Sequence, residues 1–460
     1  MAQVHPFQAF RYNPAKAAFD RVLTQPYDKI SPAMQEKYYA ADPHNLITVE
    51  KGKTHHGDTP QNSVYTRAAG AIHDWIQKQV VVADPSPAFY AYTQEFTVPG
   101  TQQSPASGQR MTRRGFIGAG KLEEYSACVV FRHEHTLSGP KADRLELLRH
   151  TRMHTGQLFM LYSDAQKRVD KILSEAEAAA APATELRDEY DVVHRLWLID
   201  DPARVEAIHT AMKDQKLVIA DGHHRYETAL TYRNERRAQA SGSINPDAPY
   251  ERAMMTFVNT EAPGLLILPG HRVAAHLHDF RWADVRRHLE PWFTAETFAF
   301  AHDGEKTAAR DKFLARLAEA RKQRAIGAYP AAEPGKQAYY LLTLRPGADL
   351  SRLLPNVSPL QRELDVVLLH EGILEPALGI TPQAVTAEAN LTYEREATSA
   401  LDAVDRGAAE VAFLLNACAV DQVMKIATAG EVMPQKSTDF YPKMLSGLTM
   451  YRVESPDRSN

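Results

Sequence analysis

From Val192 to Arg237 the sequence reads as strand, helix, strand, loop, helix, and this succession restricts the fold more than any other feature. Val192 to Ile199 is an apolar strand. Asp201 and Pro202 then supply the capping residue and first-turn proline of a helix that carries Val205, Ile208 and Met212 on one face. A second strand, Leu217 to Ala220, runs into Asp221-Gly222-His223-His224-Arg225. A helix follows to about Arg237, with Tyr226, Ala229 and Leu230 at i, i+3, i+4 spacing. Such elements bury their apolar sides by layering helices on a sheet, so the expected fold class is α/β, of mixed α+β type.

The same alternation returns near the C-terminus. Strand Tyr339 to Leu344, helix Leu364 to Leu378 closed by Gly379, strand Leu391 to Tyr393, helix Thr398 to Arg406 closed by Gly407, strand Val411 to Leu415 and helix Asp421 to Thr428 closed by Gly430 predict a further α/β region. Ala88 to Phe96, with Tyr90, Tyr92 and Phe96 among small or polar residues, predicts a strand. Pro99 to Gly108 suits a hairpin loop and Phe116 to Ala119 the returning strand. Met254 to Val258 and Leu265 to Leu268 are strand-like, whereas His278 to Arg324, rich in Arg, Ala and Glu, predicts a helix-rich insertion. The string from Gln25 to Pro32 reads as a shaped loop, because its prolines disfavour helix just before them and Ser31 can cap a helix starting at Pro32.

A chain of 460 residues exceeds the roughly 250 to 300 that one core organises, which predicts division into parts. These are an N-terminal segment 1–85, a core 86–275 carrying the Asp221 loop, and a region 276–460 that holds the helix-rich insertion and a C-terminal α/β domain. With 44% hydrophobic and 24% charged residues and a net charge of −4, the composition is that of an ordinary folded protein. It carries no overall basic footprint for nucleic acid. Cys128 and Cys418, far apart and outside any CxxC, exclude a disulfide framework or thiolate zinc site. Neither a leader-like N-terminus nor an apolar run near the 18 or so residues of a membrane span is evident, so a cytoplasmic location is expected and no membrane partner.

In the Asp221–Arg225 loop, glycine lets the backbone approach a ligand, and the N–H groups opening the next helix favour an anion through unpaired donors and the helix dipole. Arg225 adds a forked donor suited to phosphate oxygens, and His223 and His224 add donors that change charge near neutrality. Asp221, acceptor-only when ionised, is suited either to a divalent metal or to capping the helix. The plainer alternative is a helix start capped by Asp221 with two surface histidines.

Two other strings carry polar groups. If His133-Glu134-His135 is a regular strand, His133 and His135 share one face and Glu134 the other; Lys141, Asp143 and Arg144 follow on a helix. A metal pair on that face and a plain charged strand edge are both open. The proline-punctuated string Met433 to Lys443 suits either a loop over an anionic ligand or a packed surface loop.

Four ordered strings, PYDKIS, EHTLSGPKADRLELL, LVIADGHHRYETAL and MPQKSTDFYPKMLSGL, together resemble domain-of-unknown-function family 1015 over nearly the whole chain. The sequence departs from the family at Lys29, usually apolar, and at Gln435 and Asp439, usually proline and aromatic. The strand, DGHHR loop and helix are also similar to the ParB and sulfiredoxin superfamily, whose Gly-x-His-Arg loop cradles nucleotide phosphates, and to archaeal free-serine kinases, which carry a DGHHR loop.

This resemblance implies a ParB/sulfiredoxin-like core with an additional C-terminal α/β region. It also implies a small-molecule phosphotransferase, acting on free serine or a similar hydroxylated metabolite with ATP or ADP and Mg²⁺. Gly222, His224 and Arg225 match the phosphate-cradling loop, with His223 and Asp221 alongside. In that scheme His224 belongs to the catalytic set, Asp221 helps hold Mg²⁺, and Lys141, Arg144 and Lys436 join the phosphate-binding set. Glu134 is the expected base, with Asp221 its rival. The competing readings are a nucleotide-binding ParB-like regulatory or DNA-associated protein, a ligand-binding regulator without turnover, and a metal-dependent hydrolase using His133, His135, His223 and His224. Oligomeric state is left open.

Overall fold

The computed structural model describes residues 1–99, 108–134, 138–240, 244–331, 337–387 and 389–454, the side chains of 138–140 aside. Among them, nine strands form one large mixed sheet in the order Val130–Phe131, Leu217–Asp221, Leu158–Tyr162, Arg252–Asn259, Arg110–Lys121, Phe89–Thr97, Val193–Ile199, Thr184–Arg187, with Val4–His5 added beside Arg110–Lys121. Leu217–Asp221 runs parallel to Val130–Phe131 and antiparallel to Leu158–Tyr162. The class is the expected mixed α/β.

Parallel strands need cover on both faces, and the alternation along Leu217–Asp221 provides apolar side chains for each. Leu217 and Ile219 pack with Met160, Ile208, Met212 and Tyr226 on one side. Val218 and Ala220 pack with Phe159, Leu161 and Phe440 on the other. The helix Pro202–Met212 starts as the sequence dictates, with Pro202 in its first turn and the Asp201 carboxylate accepting from the Arg204 N–H at 2.9 Å. Ser31 likewise caps Pro32–Ala41 by accepting from the Met34 N–H at 3.2 Å.

A second, antiparallel sheet of six strands runs Phe293–Phe300, Gln337–Leu344, Ala325–Pro330, Val411–Leu415, His271–Ala274, Leu391–Glu394. Beyond it the chain forms two separate two-stranded ladders: Asp439–Tyr441 pairs with Leu266–Leu268, and Tyr451–Arg452 with Met153–His154. Arg113 secures the first of them. Buried beneath it, the guanidinium donates to the carbonyls of Tyr441 and Pro442 and to the Gln94 amide oxygen, and stacks 4.7 Å from the Phe159 ring centroid.

The stretch 278–324 is helix-rich as expected, with an edge strand that the expectation did not include, Phe293–Phe300, between the helices Trp282–Leu289 and Asp303–Glu319. His133 and Glu134 do not continue a regular strand: pairing ends at Phe131, and Glu134 bridges instead to Met433. Paired there, the Met433 N–H donates to the His133 carbonyl at 2.7 Å, which draws the chain out of the sheet. His135 and most of the 99–108 loop lie outside the described residues. Among the described residues, no helix is long and apolar enough to cross a membrane.

Candidate functional site

Strand Leu217–Asp221 shifts register against Leu158–Tyr162 between Ile219 and Asp221, so that Ala220 is passed over and Asp221 pairs with Phe159 at the strand's end. Gly222 follows with φ 95°, in the left-handed region, and caps the helix His223–Gln239. A Cβ here would lie 3.0 Å from Leu158 Cδ2 and 3.1 Å from Arg225 Nε, so both the backbone angle and the space require glycine. The helix cap is therefore Gly222, without a side-chain bond, and the reading of Asp221 as the cap is corrected. The first helical N–H groups, those of His223, His224 and Arg225, have no acceptor within the helix and open onto a cleft.

That cleft, about 200 Å³ in volume, is lined by Gly222–Arg225, Asp221 and Glu134, by the turn Tyr27–Lys29, and by Gln435, Lys436, Thr438 and Lys443. Three separate segments thus meet at one helix start. Lysines 29 and 443 approach the Asp439 carboxylate at 3.9 and 3.1 Å, and Arg395 adds a contact at 2.6 Å. Lys443 also stands 3.8 Å from Asp221, whose other oxygen accepts from Arg225 Nη2 at 3.2 Å. Burial alone would raise the Asp221 carboxyl, but Lys443, Arg225 and Lys29 outweigh it and hold the group at about 2. Asp439 is held below the usual carboxylate range by Lys443, Lys29 and Arg395 against the same desolvation. Burial and neighbouring Lys443 push the Lys29 ammonium down.

The histidines divide. His133 is fully buried; its Nδ1 faces the Ile219 carbonyl at 2.7 Å and so donates, leaving Nε2 to accept from the Thr438 hydroxyl at 2.8 Å. His223 Nε2 accepts from the His133 N–H at 3.4 Å. Burial lowers the pKa of both, and of His224, which remains half-buried in the cleft wall. Both ring nitrogens of His133 are thus engaged, and among the described residues no group of three His, Cys, Asp or Glu side chains is placed to hold a metal ion.

The structure brings together Glu134, Asp221, Gly222, His223, His224, Arg225 and Lys436. It sets Lys141 and Arg144 behind the wall. Lys141 bonds Glu227 at 2.7 Å, while Arg144 donates to the Glu50 carbonyl at 2.8 Å and covers the Tyr27 ring at 4.4 Å. Arg225 is braced rather than open, its Nη1 on the Gln157 carbonyl and Nη2 on Asp221. Glu134 Oε1 accepts from the Ser437 N–H at 3.2 Å.

Sequence reasoning gave no role to Asp28, Lys29 or Lys443. Asp28 is an exposed carboxylate at the cleft's edge that makes no hydrogen bond or ion pair among the described residues. Their signal lay in the PYDKIS and MPQKSTDFYPKM strings, read as loops in which only Lys436 was given a role.

Among solved structures, the chain is similar to a free serine kinase in complex with AMP, at 11% identity over 71% of this chain and 88% of the other, TM-score 0.34. A conserved hypothetical protein from Pyrococcus furiosus matches at 12% identity over 71% and 92%, TM-score 0.33. SbnI with C-terminal truncation from Staphylococcus aureus matches at 8% over 75% and 90%, TM-score 0.32. No protein with a curated description matches the sequence. Residues 4–367 match the model of DUF1015, described as a protein of unknown function, and the chain belongs to that family.

Proposed function

We propose that the cleft binds the phosphates of ATP or ADP and that the protein transfers a phosphoryl group to the hydroxyl of a small metabolite, of which free serine is the leading candidate. One observation carries this reading: the helix start at Gly222–Arg225 faces Lys29, Lys436 and Lys443 across a cleft edged by the uncommitted carboxylate Asp28. Phosphoryl transfer relies mainly on positioning and charge neutralisation, and these groups provide both. Backbone N–H groups and the His224 ring hold phosphate oxygens, and Lys436, which makes no ion pair among the described residues, faces the transferred group.

In the transfer, the acceptor hydroxyl oxygen forms a bond to the terminal phosphorus, the bond from phosphorus to the nucleotide oxygen breaks, and the hydroxyl proton passes to a carboxylate. Three carboxylates line the cleft as candidates. Asp221 is bound to two cations and Glu134 to a backbone N–H, whereas Asp28 is uncommitted, so Asp28 takes the proton in this scheme. Mg²⁺ typically needs only one or two protein carboxylates beside the phosphates, a requirement that Asp221 fits, and it would neutralise phosphate charge there.

The test is incubation with ATP or ADP, Mg²⁺ and a pool of hydroxylated metabolites, with phosphorylated products sought by mass spectrometry. Wild type should yield one product that Asp28→Asn and His224→Ala reduce at least a hundredfold. Absence of any product together with absence of nucleotide binding would sink the proposal.

A further inference from the structure

A second cavity, of about 510 Å³, opens on the far side of the Met433–Gln435 segment, and Gln435 lines both it and the phosphate cleft. Its wall includes a π-helical turn, His370–Leu374, set between the helices Asp365–Leu369 and Glu375–Leu378. In that turn the Glu375 N–H donates to the His370 carbonyl, an i to i+5 bond. The wider turn stacks Glu375 near His370, where an α-helix would send a residue five positions on toward the opposite face. Glu371 reaches the same cavity, and neither glutamate has a cationic partner among the described residues.

His370 supplies the complementary end. Its side chain is 6% exposed, and Nε2 accepts from the Nε–H of the buried Arg272 at 3.1 Å. The imidazole, kept neutral by burial and by that guanidinium, must then carry its proton on Nδ1, which has no hydrogen-bond partner among the described residues. Arg272 is fixed by the carbonyls of Gly270 and Gln435, so its charge stays behind the ring and polarises the free N–H. Beside these groups the lining carries apolar Val357, Val367, Ile380 and Val385 together with the polar Asn356, Gln361 and Thr386.

We infer that this cavity binds a small zwitterion of the amino-acid class with an apolar side chain, its ammonium held by Glu371 and Glu375 and its carboxylate accepting from His370 Nδ1–H. The inference stands on its own geometry and does not depend on phosphotransfer at the other cleft. Partial burial and, after it, repulsion from Glu375 raise the Glu371 pKa, a cost that a bound ammonium relieves.

The experiment is titration calorimetry of the full chain with three probes of one shape: L-leucine, isoamylamine (no carboxylate) and 4-methylpentanoate (no amine). L-leucine should bind at least tenfold more tightly than either partial probe. The Glu371→Gln/Glu375→Gln double variant, which changes only half-exposed or exposed side chains, should lose L-leucine binding at least tenfold while keeping the wild-type unfolding temperature. No heat with L-leucine, equal binding of 4-methylpentanoate, or unchanged binding by the double variant would each overturn the inference.

Discussion

Replacing Asp221 by Asn removes a charge from between Lys443 and Arg225 while keeping an oxygen that can accept from Arg225. The carboxyl is held at about 2 in the fold against its usual 3.8, and each unit corresponds to about 1.4 kcal/mol, so the ionised group stabilises the fold by about 2 kcal/mol. Because the folded value is the depressed one, that contribution is complete above the unfolded value of 3.8 and is lost as pH falls through about 2. Urea denaturation of Asp221→Asn at pH 7 should therefore show about 2 kcal/mol less stability than wild type. The deficit should hold constant down to about pH 5 and shrink below pH 4 as the wild-type carboxyl is protonated. A variant as stable as wild type at pH 7, or a deficit that does not shrink in acid, would refute the claim that Lys443, Arg225 and Lys29 dominate the burial penalty at this strand end.

Arg113→Met should cost about 3 kcal/mol, read as a fall in urea midpoint, because it strands the buried carbonyls of Tyr441 and Pro442; a change under about 1 kcal/mol would contradict the bracing role. Gly222→Ala should destabilise by about 1–2 kcal/mol and weaken ADP binding, since φ 95° strains any Cβ and the helix start must move; wild-type values of both would show the loop to be more pliant than described. Burial lowers the His224 pKa, so ADP affinity should rise as the ring gains its proton on acidification below its ordinary value in wild type and less so in His224→Gln; parallel profiles would remove His224 from the phosphate contacts.

What the sequence made legible were the elements whose period and caps agree. Val411–Leu415 is the strand expected to the residue, and Asp201 with Pro202 set a helix start that the structure reproduces. Phe293–Phe300 was hidden because an edge strand need not alternate cleanly: Ala295, Glu296 and Thr297 all face solvent there, and the flanking Arg- and Ala-rich text reads as helix. A regular strand does not run through His133 and Glu134 for a different reason, because Met433 takes the backbone pairing, and nothing near residue 133 in sequence foretells a partner three hundred positions on. The same distance explains the site. The loop at Asp221–Arg225 could be read locally, but which carboxylate stays uncommitted depends on Lys443 reaching Asp221 and Ser437 reaching Glu134, pairings no local pattern records.

The central claim, that the Gly222–Arg225 helix start and its lysines form a nucleotide-phosphate site, is tested most directly by equilibrium binding of ADP with and without Mg²⁺. Wild type should bind ADP. Lys436→Ala should weaken binding about tenfold in a salt-dependent manner, with no change in unfolding temperature because Lys436 is exposed and makes no ion pair among the described residues. Failure of the folded wild-type protein to bind ADP or ATP, or binding indifferent to Lys436→Ala and His224→Ala alike, would contradict it.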